Sequence, residues 1–204
     1  MELGEALEQI HVIRAQFART EVFRGYKAVT VGCTGALAIL AAAIQPIFVP
    51  DPLDNTHAYL QLWIGVAAIS AIWVAIELTT RWIKSDSSLQ REQTLSAVGQ
   101  FLPCLVAGAA MTWAVVTFSP DAVHLLPGLW SILFGLGIFA SCRQMPRHMG
   151  IVGAYYLFAG VTCLAIARGA HSFHPLAMAG TFGVGQILTA VILYLALERR
   201  HAER

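Results

Sequence analysis

With 204 residues, 57% of them hydrophobic and only 12% charged, and a mean hydropathy of +0.64, the chain is too apolar for an ordinary soluble domain and reads as a membrane protein. A formal net charge of +1, with no basic residues massed on one face, gives no footing for a nucleic-acid partner. Cys33, Cys104, Cys142 and Cys163 form no C-x-x-C pair, so neither a disulfide framework nor a zinc ribbon is indicated.

Residues 1–27 open the chain. Within Glu2–Phe23, Leu3, Leu7, Ile10, Ile13 and Phe17 recur at three- and four-residue spacings between charged positions. This pattern predicts an amphipathic helix lying on the membrane surface or against a partner subunit or second copy. It lacks the basic start and small-residue cleavage site of a signal peptide.

Residues 28–80 form a first hairpin. Ala28–Val49 carries no charge and is long enough to cross a hydrocarbon core of about 30 Å; Tyr59–Thr80 returns, with Trp63 and Trp73. Glu77 stands four residues before Arg81, so an interfacial ion pair accounts for it as well as an intramembrane functional role does. Residues 81–93 are the longest polar connection and are expected to be a surface loop or short surface helix.

A second hairpin, 94–142, comprises Thr94–Phe118, interrupted by Gln100 and Pro103, and Val123–Cys142, whose Gly128, Gly135 and Gly137 permit close helix approach. After a basic turn, 143–149, the third hairpin, 150–197, comprises Gly150–Ala167 and Pro175–Leu197, before a charged tail, 198–204. The predicted fold is therefore an all-α integral membrane protein of six transmembrane helices in three hairpins. Of the thirteen Lys and Arg residues, all but Arg168 fall on the side of the N-terminus, which puts both termini in the cytoplasm by the positive-inside rule and suits an inner or plasma membrane.

The outer turns share a pattern. Asp54-Asn-Thr-His57, Asp121-Ala-Val-His124 and His171-Ser-Phe-His174 each place a polar side chain three residues before a histidine, nearly one helical turn. His57 and His124 each precede a tryptophan, Trp63 and Trp130, by six residues, while Gly180 takes that place in the third copy, so the pseudo-threefold repeat is degraded there. Six residues is a rotation of about 240°. If the tryptophans face lipid, the histidines face the bundle.

Three imidazoles about a pseudo-threefold axis would form a first shell for a transition-metal ion, zinc favoured because no methionine or cysteine accompanies them. Asp54, Asp121 and His171 would bind a second ion or orient the rings, and Arg168 would hold an anion beside the metal. Asp54 or Asp121 would then serve as general base to a zinc-bound water in a hydrolytic site; a sensing role needs only the ion. Non-covalent haem between two of the histidines is an alternative. Equally, the same residues can be helix caps and water-exposed ends.

Whether the chain is an enzyme is not decided by these residues. Two other classes stand beside the metalloprotein: a small transporter or channel, with Gln100, Gln186 and the Pro103 break lining a path, and a non-enzymatic membrane subunit held through the N-terminal helix.

Overall fold

The structure is a computed structural model that describes residues 28–84, 88–142, 145–146, 148–167, 171 and 173–198. The amphipathic stretch Glu2–Phe23, Arg168 and residues 199–204 of the charged tail lie outside the described residues, which contain no strand.

Six helices are long and apolar enough to cross a membrane. They are α1 (Ala28–Phe48), α2 (Thr56–Lys84), α3 (Ser88–Phe118, apolar from Thr94), α4 (Leu126–Ser141, preceded by the 3-10 turn Pro120–Leu125), α5 (Met149–Ile166) and α6 (Pro175–Ala196). Their apolar runs match those in the sequence to within a turn at most ends.

The main departure is the connection between α2 and α3. Where a surface loop or short surface helix was expected over residues 81–93, α2 runs on to Lys84 and α3 begins at Ser88, so most of the polar connection extends the two spans as helix. Local polar pairing explains the extension. Arg81 Nε lies 3.2 Å from Glu77 Oε1, one turn back. Arg91 donates from Nε to the Trp82 carbonyl at 3.1 Å and sits over the Trp82 ring, 5.2 Å from its centroid. A cation on the last carbonyls of a helix both satisfies them and complements the helix dipole. Pro103 lies inside α3 without ending it.

Glycine decides which helices meet closely. On α4 and α5, Gly128 and Gly160 face one another: a Cβ on Gly160 would stand 2.8 Å from the Gly128 carbonyl oxygen, and one on Gly128 2.8 Å from that of Gly160. One turn along, Ser131 Oγ donates to the Tyr156 carbonyl at 2.8 Å. Small side chains and a hydroxyl-to-carbonyl bond are what draw helices together where lipid removes the hydrophobic drive. The α1–α6 contact repeats the device with Gly35 and Gly183.

Two cores result. At the end of the hairpin turns, Ala38, Val49, Tyr59, Trp63, Val123, Leu126, Phe173 and Met178 pack together. At the opposite end, Ala28, Val31, Ile138, Met149, Val152, Tyr156 and Leu193 do so. Between them Phe134, Tyr156 and Phe182 pack mutually, with ring centroids 4.9–5.7 Å apart. The three turns thus gather at one end, as the hairpin reading requires.

Candidate functional site

The turns gather, but their histidines do not. His57, His171 and His174 are exposed and His124 is half-buried. Each of two is engaged locally: His174 Nδ1 accepts from Leu176 N at 3.2 Å as the N-cap of α6, and His124 Nδ1 lies 2.7 Å from the Asp121 carbonyl oxygen. Asp54 and Asp121 are exposed. The cap of α2 is Asn55, whose Oδ1 accepts from Ala58 N at 3.2 Å, so capping falls one residue after Asp54. Among the described residues no three His, Cys, Asp or Glu side chains stand together as a metal ion needs, and the zinc cluster expected from the sequence is not supported there.

The reason lies in the tryptophans. Trp63 is 2% exposed and Trp130 half-buried; they pack into the bundle, so His57, about 120° round α2 from Trp63, is left at the exposed mouth of a groove beside α2. Burying a large apolar ring favours this choice, provided the indole N–H finds an acceptor. Trp63 Nε1 donates to Gln45 Oε1 at 3.0 Å, and Gln45 Nε2 donates to the Phe173 carbonyl at 2.8 Å. Gln45 is itself 1% exposed. Trp130 Nε1 donates to Thr112 Oγ1 at 2.8 Å. Phe173 packs against Tyr59 with ring planes tilted by 53° and centroids 4.6 Å apart. The centre of this end is therefore filled by an aromatic cluster tied by one glutamine, where three imidazoles were expected. Burial pushes the Cys142 thiol up, away from thiolate chemistry.

A long concavity lies elsewhere, among the described residues. A groove of about 950 Å³ runs between α2 and α3, with residues of α1, α4 and α6 as its floor. On α2 its wall extends from His57 to Leu78 and on α3 from Val98 to Val116, so at 1.5 Å per residue it covers roughly 30 Å, the depth of a hydrocarbon core. Most lining side chains are apolar. Of the polar ones, Thr34, Thr112 and Thr189 donate back to carbonyls of their own helices, Val31, Gly108 and Gly185, each at 2.7 Å. Four polar side chains on the lining remain without a partner among the described residues: His57 and Gln61, one turn apart at the hairpin end, and Ser70 and Gln186 further down.

Of the path expected for a transporter, Gln186 lines the groove, while Gln100 and Pro103 do not; Gln100 Oε1 is buried with no hydrogen-bond partner. Sequence reasoning missed the groove and Gln45. The signal for Gln45 was present as an amide inside an otherwise apolar run, eighteen residues before a tryptophan, the separation that Thr112 and Trp130 share.

No protein-family model, curated protein or solved structure matches this chain.

Proposed function

We propose that this chain is a six-span membrane carrier that takes a lipid-like molecule from the bilayer into the groove between α2 and α3. The observation that supports this reading is the shape of the groove. The groove is a slot roughly 30 Å long with a volume of about 950 Å³, room for a flexible hydrocarbon chain laid along it. Apolar walls with a few placed polar groups are also what small-molecule sites present.

In this reading the termini are cytoplasmic, as the basic residues argue, and the groove's His57 end faces out. The three hairpins are degenerate copies of one unit, for which the matching Trp63–Gln45 and Trp130–Thr112 bonds speak. In the third copy Gly180, at the tryptophan's place, accepts the Tyr155 hydroxyl through its carbonyl. The N-terminal amphipathic stretch lies on the cytoplasmic surface or against a partner.

Native mass spectrometry of protein extracted in mild detergent is the test. The expected result is one co-purifying lipid-like molecule per chain, lost on Ala71→Trp, which fills the groove, and kept on Ala68→Trp, whose position is off the lining. A wild-type chain without such a molecule, or one bound equally by both variants, would sink the proposal. Elemental analysis of the same sample beside the His57, His124 and His174 triple alanine variant tests the metal reading, which expects near-stoichiometric metal in the wild type alone.

A further inference from the structure

A membrane-depth amide facing a hydrocarbon slot calls for explanation, because an unpaired amide in an apolar medium costs several kcal/mol. Gln186 is eleven residues into α6 from Pro175, hence at most about 16 Å from that end of the helix at 1.5 Å per residue, since a π segment advances less per residue, and near the middle of the hydrocarbon core. Its side chain is half-buried on the groove lining and has no partner among the described residues.

The backbone of α6 is shaped to present it. Ala179–Val184 is a π segment, with wider turns than an α-helix, and Gly185 resumes the α-helix. Met178, Phe182 and Gln186 consequently follow one another on the groove at four-residue intervals. The π segment is tethered, since the Tyr155 hydroxyl donates to the Gly180 carbonyl. Such segments are uncommon and recur where a helix must aim a functional side chain.

We infer that the groove's occupant is an amphiphile with two polar points: a headgroup at His57 and Gln61, and an oxygen function, hydroxyl or carbonyl, about a dozen carbons down its chain, hydrogen-bonded by Gln186. The spacing follows from geometry. An extended carbon chain advances roughly 1.25 Å per bond, from a 1.5 Å bond and a tetrahedral angle, so a span of at most ~16 Å to Gln186 takes no more than about thirteen carbons. The amide both donates and accepts, so either oxygen function satisfies it. This inference rests on the carrier reading and adds the chemistry of the cargo.

The experiment compares octadecanoate with 12-hydroxyoctadecanoate as probes, following quenching or enhancement of tryptophan fluorescence from Trp63 and Trp130, which line the groove, in delipidated full-length protein. Wild type is expected to bind the hydroxylated chain about five- to tenfold more tightly, the worth of one hydrogen bond. Gln186→Leu is expected to abolish that preference, with octadecanoate bound at least as tightly as by wild type because the unpaired amide is gone. Gln61→Leu, at the mouth, is expected to weaken both probes alike. Equal binding of the two probes to wild type, or a preference that survives Gln186→Leu, overturns the two-point cargo while leaving the carrier intact. Binding of neither probe overturns both. Should Gln186→Leu not fold, Gln186→Met, closer in length and flexibility, takes its place with the same expectation.

Discussion

Gly160→Ala is expected to destabilise the protein by about 1–3 kcal/mol, the usual cost of overpacking a tight contact. The added methyl would lie 2.7 Å from Ile132 Cγ1, 2.8 Å from the Gly128 carbonyl oxygen and 3.0 Å from Ile132 N. Two of these are backbone atoms of a neighbouring helix, which cannot swing aside as a side chain would, so α4 and α5 must separate. Separation also lengthens the bond from Ser131 Oγ to the Tyr156 carbonyl. The internal control is Gly99→Ala, where nothing stands within 4 Å: removing a helix glycine there is expected to be neutral or to stabilise by up to about 1 kcal/mol. Thermal unfolding of the two variants in one detergent checks the contrast, and similar midpoints would count against the close approach of α4 and α5.

Gln45→Leu is expected to cost more than any other single polar deletion in the hairpin-end core. It orphans two buried groups together, the Trp63 indole N–H and the Phe173 carbonyl, at about 1–3 kcal/mol each. Trp63→Phe leaves Gln45 bonded to Phe173 and orphans only its Oε1, although it also removes apolar volume. The double variant is therefore expected to be less destabilised than the sum of the two singles, with a coupling in the range of about 0.5–3 kcal/mol. Additive losses in a double-mutant cycle, read from unfolding midpoints, would show that the glutamine does not bridge α1, α2 and the turn before α6.

These two sites locate what was legible in the chain. Gly128 and Gly135 were readable as close-approach positions because a glycine in an apolar run has few other uses, and their partners Gly160 and Gly153 complete the contact. The glutamine's role was not readable, since an amide in a span is equally a pore-lining group, an interface group or a tie until its neighbours are known. The outer-turn histidines show the converse. Their periodicity fixed that His57 and Trp63 point apart, but not which of the two faces inward. Packing decided that: the indole fills the space among Tyr59, Phe173 and Leu126 and finds an acceptor in Gln45, while an imidazole at the wet end of a span keeps its hydration.

The six apolar helices and their hairpin order follow from the sequence alone, because the membrane asks only for length, apolarity and internally satisfied backbone, all of which are local properties. The groove between α2 and α3, the inward turn of Trp63 and the exposure of Gln186 to that groove belong to the tertiary structure. They depend on how closely particular pairs of helices approach, and that is set by contacts between residues far apart in the chain, where glycine faces glycine across α4 and α5 and no such pairing joins α2 to α3 among the described residues.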